Sequence, residues 1–109
     1  MVSLITKSQM SLTEFLKLPE TEPASEYIAG EIDQKPMPQG KHSILQMRLG
    51  TKINQVGEPQ KLVYAFPELR CTFSNGSVVP DIAVFEWGRI PKDEKGQIAN
   101  RFEIAPDWT

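Results

Sequence analysis

Cysteine is almost missing from this chain: Cys71 stands alone among 109 residues, so no disulfide can form within it. A lone thiol in a small domain reads as a buried apolar residue in a reducing compartment, and the expected location is cytoplasmic. No apolar run approaches the roughly 20 residues that a membrane-spanning helix requires. The first residues lack the basic start and long apolar core of a secretory signal. An excess of positive charge is lacking too. Twelve Lys and Arg stand against 14 Asp and Glu, for a net charge of −2, which excludes the broadly basic character of general nucleic-acid binders and leaves room only for a local basic patch. No internal repeat and no low-complexity tract interrupts the sequence.

Proline is abundant, with nine residues gathered at 19–38 and 59–106, a distribution that favours loops and short elements over a helical bundle. A chain of 109 residues is at most one domain, burying about 65% of its unfolded surface and therefore holding a modest core.

The stretch from Leu69 to Phe85 reads as two strands around a turn, because Asn75-Gly76 between apolar runs tolerates the positive φ of a type I′ hairpin. Counting outward from that loop, Ser74 faces Ser77, Cys71 faces Pro80 and Arg70 faces Asp81. Pro80 then falls at a non-hydrogen-bonded position toward its partner strand. Asp81 interrupts an apolar run, where a carboxylate needs a partner or a metal. On spacing alone, an ion pair with Arg70 is the favoured partnership.

The remaining elements follow in order. Ser11 and Glu14 form a capping box, with Met10 and Phe15 spaced as a hydrophobic staple, for a helix over 12–18 stopped by Pro19. Ser25–Ile28 and Glu31–Gln34 flank Ala29-Gly30 as a small hairpin that sets Glu26 near Asp33. From Lys41 to Val56 the period turns helical, with Leu45, Leu49, Ile53 and Val56, broadened by Ile44, as the apolar stripe. His42 lies in its first turn. Lys61–Phe66 reads as a strand, 86–101 as a long surface loop and 102–105 as a short extended piece.

Taken together, SLTEFLKLPE, EYIAGEI, KPMPQGKHS at a helix start, PELRCTF, VVPDIAVFEW and FEIAPDWT, in that order, resemble the Uma-two family of bacterial restriction-endonuclease-like proteins, within the PD-(D/E)xK superfamily. The resemblance runs from Met10 onward, leaving 1–9 as a flexible N-terminus ahead of one domain over 10–109. It implies an α/β (α+β) fold with a mixed sheet and flanking helices. The implied activity is divalent-metal-dependent hydrolysis of DNA phosphodiester bonds, with Mg²⁺ or Mn²⁺ as the ion. Pro80-Asp81 matches the superfamily's PD, which makes Asp81 the implied metal-binding carboxylate. Glu26 and Glu31 match the acids of the family's early hairpin, His42 matches the histidine opening its helix, and Arg70 becomes a phosphate contact.

The sequence departs from the family pattern at its end. The strand carrying a second acid, and the helix carrying a lysine, have no equivalents before Thr109. A site with Asp81 and upstream acids alone is expected to hold Mg²⁺ weakly and to be catalytically impaired. A missing neighbour would also leave the Pro80-Asp81 strand with an open edge inviting a homodimer. The alternative expectation is therefore an inactive fragment serving as an interaction protein.

Overall fold

The computed structural model describes residues 10–109, and the segment 1–9, read above as a flexible N-terminus, lies outside the described residues. Helix α1 (Leu12–Leu16) begins where the capping box predicts: Glu14 N–H donates to Ser11 Oγ at 3.1 Å and Ser11 N–H to Glu14 Oε1 at 3.0 Å. It ends two residues earlier than expected and points Phe15 inward to stack on Tyr27, with ring centroids 5.5 Å apart.

Strands β1 (Ser25–Ile28) and β2 (Glu31–Gln34) form the small hairpin in the expected register, with Glu26 opposite Asp33. Its turn uses Ala29 at φ 48° and Gly30 at φ 91°, the left-handed pair that a type I′ turn requires. Lys35 continues the pairing past β2, donating its N–H to Ala24 O at 2.9 Å.

Helix α2 (Gly40–Gly57) is the long element of the domain, but it does not dock by the stripe its sequence advertises. Ile44, Leu45, Leu49 and Val56 are 53–67% exposed, and of the predicted stripe Ile53 packs on the core. The helix instead approaches through small and polar residues. Asn54 Nδ2 donates to Ala65 O at 3.1 Å while Ala65 N–H donates to Asn54 Oδ1 at 2.7 Å, so one amide side chain satisfies both groups of a strand residue. Gly57 comes so close that an added Cβ would lie 2.4 Å from Val63 O.

Strands β3 (Val63–Pro67), β4 (Cys71–Phe73), β5 (Gly76–Val78) and β6 (Ile82–Glu86) are two arms of one bent antiparallel hairpin. Pairing runs Val63↔Glu86 to Pro67↔Ile82, breaks, and resumes at Cys71↔Val78 to Phe73↔Gly76 without a change of register. The outer half joins the first hairpin in a four-stranded sheet ordered β2-β1-β5-β4, and the inner half is a two-stranded sheet, β3-β6.

The turn is not the expected one. Ser74-Asn75 is the loop, Phe73 pairs with Gly76, and neither Asn75 nor Gly76 has positive φ. Gly76 is required by proximity, since a Cβ there would sit 2.9 Å from the Phe73 ring and 3.0 Å from Tyr27 O on β1. This slip removes Arg70 from Asp81. Glu68 takes its place, donating its N–H to Asp81 O at 3.3 Å.

Strand β6 is buried on both faces. One faces the aromatic cluster of Phe66, Phe85 and Phe102, with centroids 5.1–5.9 Å apart, and the other packs with Ala65 and Ile53 under α2. Cys71 is fully buried beside Phe85, and burial pushes its thiol up to about 11. The segment after the 3₁₀ turn Trp87–Arg89 returns along both sheets: Thr72 N–H donates to Phe102 O at 3.0 Å and Val84 N–H to Trp108 O at 2.8 Å. The outer edge of β6 expected to stand open is thus met by Asp107-Trp108 at Val84. Among the described residues no helix is long and apolar enough to cross a membrane.

Candidate functional site

The chain crosses from one sheet to the other through Val79-Pro80-Asp81, where the ladder is broken and proline offers no N–H. Side chains from the first hairpin hold this crossing. Glu26 Oε2 accepts from Val79 N–H at 2.8 Å, and Lys35 Nζ donates to Val79 O at 2.5 Å. The antiparallel register places Glu26 and Lys35 on one face of that hairpin, so a carboxylate and an ammonium clamp both polar groups of the residue before Pro80-Asp81.

Asp81 is bonded at both oxygens. Oδ1 accepts from Lys35 Nζ at 2.7 Å, and Oδ2 lies 2.9 Å from His42 Nε2 in the first turn of α2. A carboxylate only accepts, so Nε2 carries the hydrogen of that contact. Glu68 Oε2 lies 3.4 Å from the same ammonium. Lys35 therefore meets three acceptors while its side chain is only 16% exposed.

The charges respond as the geometry requires. The Lys35 hydrogen bond holds the Asp81 carboxyl below its ordinary range, aided by the Lys35 and His42 charges and opposed by partial burial. Burial alone would lower Lys35, but its hydrogen bond to Asp81 and the charges of Glu68 and Asp81 outweigh this and raise it.

These groups line an open groove of about 1160 Å³ between the start of α2, the 35–39 connector and the ends of β3 and β6. Lys41, Gln46 and Asn54 line it as well. Of the residues singled out in the sequence, the structure brings Asp81 and His42 together here and ties Glu26 to the backbone beside them. Glu31 is exposed at the turn end of its hairpin and does not line the groove. Arg70 is engaged elsewhere: its Nε and Nη2 bond Glu20 at 2.8 and 2.7 Å, Nη2 bonds Ser25 O, and Nη1 bonds the buried Ser77 Oγ at 3.0 Å. That pairing with Arg70 holds Glu20 below its ordinary range. Lys35 and Glu68 were not singled out. The signal for Lys35 was the alternation Asp33, Lys35 on the face carrying Glu26; Glu68 became visible only with the register.

Oxygen-rich donors are what Mg²⁺ takes, and Asp81 and Glu68 are of that kind. As arranged, however, they do not form a divalent-cation site. An ammonium sits between them, both Asp81 oxygens are bonded, and among the described residues no three His, Cys, Asp or Glu side chains are grouped to hold a metal ion. Asp107, of the second Pro-Asp pair, is spent on Arg89 at 2.7 Å and on Glu86 N–H at 2.8 Å.

Residues 12–109 match the family Uma2, whose description is "Putative restriction endonuclease". A solved structure described as a putative nuclease belonging to DUF820, from Anabaena variabilis, superposes with a TM-score of 0.88 at 65% sequence identity. The match covers 92% of this chain and 56% of that one, so the chain spans a little over half the length of that protein. No curated protein matches the chain.

Proposed function

The chain belongs to the Uma2 family of restriction-endonuclease-like proteins, and from that premise we propose that its groove is a phosphodiester site acting on DNA. One observation carries this reading: residues 35, 42, 68 and 81, remote in sequence, converge as an ammonium, an imidazole and two carboxylates in one open groove.

Hydrolysis of a phosphodiester requires water to attack phosphorus, the bond to the leaving oxygen to break, a proton to leave the water and one to reach the leaving oxygen. His42 suits the proton transfers. Its Nε2–H is held by Asp81, which fixes the ring, and Nδ1 takes the water's proton and returns one to the leaving oxygen. Lys41, beside it on the first turn of α2, lines the groove and offers positive charge to the phosphate, reinforced by the helix N-terminus. Glu26 and Lys35 are positioning residues that fix Val79 and through it Asp81. Restriction-endonuclease-like proteins generally use divalent metals. In this chain Lys35 holds the Asp81 oxygen such an ion would need.

The test is cleavage of supercoiled plasmid by the unaltered protein, Asp81→Asn and His42→Ala, each with and without Mg²⁺ or Mn²⁺. The proposal expects slow nicking that falls about 100-fold or more in both variants. Equal nicking by Asp81→Asn would overturn it.

A second reading, self-association without catalysis, is favoured by one feature. Leu45, Leu49 and Val56, on one face of α2, are 67%, 55% and 63% exposed, more apolar surface on one face than solitary exposed residues explain. Sedimentation equilibrium at high concentration decides it, and a monomer removes it.

A further inference from the structure

We infer that Lys35 is a resident cation at Asp81, occupying the position a divalent metal would take and excluding that metal until the lysine is moved or replaced. The inference rests on the reading of Asp81 as the acid of the site, and its test measures cation binding and not cleavage, so the failure of either is seen separately.

Three features of the geometry argue for it. First, the ammonium is placed as a coordinated ion would be: it bonds Asp81 Oδ1 at 2.7 Å and Val79 O at 2.5 Å and lies 3.4 Å from Glu68 Oε2, two carboxylates and a carbonyl around one positive centre. Second, the lysine is not a mobile surface chain that happens to reach the acid. Its backbone is fixed by the hydrogen bond to Ala24 O at 2.9 Å, and its side chain is 16% exposed, against 44% for Asp81 and 53% for Glu68. Third, the far oxygen of Asp81 is also bonded, to His42, so a metal could not enter opposite the lysine without breaking a second contact.

Electrostatics sets the consequence. An opposite charge within bonding distance changes a carboxylate's affinity for a cation such as the proton by about tenfold or more. With Lys35 present, an incoming divalent ion meets a neutralised Asp81 and must also displace an ammonium held by three acceptors. With Lys35 replaced by a neutral side chain of similar length, Asp81, Glu68 and the Val79 carbonyl remain as an oxygen-rich cradle of the kind hard cations bind.

The experiment is a Mn²⁺ titration of the full chain followed by backbone amide NMR, in which bound Mn²⁺ broadens nearby signals. In the unaltered protein the amides of Val79, Asp81 and Ile82 should keep their intensity at Mn²⁺ concentrations that broaden them in Lys35→Met, with an apparent affinity at least about tenfold tighter in the variant. Lys35→Arg keeps the charge and should behave as the unaltered protein. Lys35→Met combined with Asp81→Asn should lose the gain. Selective broadening of the Val79, Asp81 and Ile82 amides in the unaltered protein at equal or lower Mn²⁺ overturns the inference, and that arm stands whether or not Lys35→Met folds. Equal affinity in Lys35→Met and unaltered protein overturns it as well.

Discussion

Lys35 Nζ and Asp81 Oδ1 lie 2.7 Å apart although 46 residues separate them, and their contact ties the first hairpin to the crossing between the two sheets. The pair has a measurable pH signature. Asp81 is held below its ordinary range first by the Lys35 hydrogen bond, so its contribution is complete above the unfolded value of about 3.9 and is lost as pH falls through the folded value. Lys35 is raised, so its side of the pair is complete below about pH 10 and adds no slope in acid. Urea midpoints of unaltered protein and Asp81→Asn should differ near pH 5, by about 1 kcal/mol or less at this half-exposed site, and converge as the pH falls below about 4. A gap that widens in acid would contradict the pairing.

Asn54 is the residue that docks the long helix. Replacing it with leucine leaves the N–H and C=O of the buried Ala65 without their partners, which should cost about 2–3 kcal/mol. Denaturant unfolding of Asn54→Leu checks this, and a loss under about 0.5 kcal/mol would show that the helix docks otherwise.

Two glycines of α2 should respond in opposite directions to the same change. Alanine is the better helix former by about 1 kcal/mol, and at Gly40 nothing lies within 4 Å of the new methyl, so Gly40→Ala should be neutral or stabilising. At Gly57 the methyl would meet Val63 O at 2.4 Å, and overpacking of about 1–3 kcal/mol should outweigh propensity. Thermal melts of both variants test the approach of α2 to β3.

The turn of the bent hairpin offers a test of its register. With Asn75 at negative φ, Asn75→Ala should change stability by no more than about 0.5 kcal/mol. Gly76→Ala should cost more than 1 kcal/mol, roughly, through the Phe73 ring and Tyr27 O. Comparable large losses at both positions would instead fit the type I′ turn.

Elements governed by local chemistry were legible from residues alone. Ser11 with Glu14 placed α1, and Ala29-Gly30 placed the first hairpin and set Glu26 opposite Asp33. What failed was where tertiary packing chose among local options. Asn75-Gly76 is a turn signal, yet Gly76 is used for close approach to Tyr27, and moving the loop back by one residue, which shifts every pairing by two, exchanged Arg70 for Glu68 beside Asp81. The stripe Leu45, Leu49, Val56 has helical period, but Asn54 and Gly57 match the strand surface more closely than branched side chains could. Lys35 reads as a connector residue because nothing local records a partner 46 positions away. The resemblance named Asp81 and His42 without saying that they touch, at 2.9 Å.

The most direct measurement is an amide NMR titration of the unaltered protein with a short DNA duplex at low and high salt. The account predicts shifts at residues 35–46 and 79–82, around Lys35, Lys41, His42 and Asp81, weakening as salt rises because the contacts are to phosphates. Shifts gathered instead around Arg70 and Glu20, with the groove silent, would contradict it.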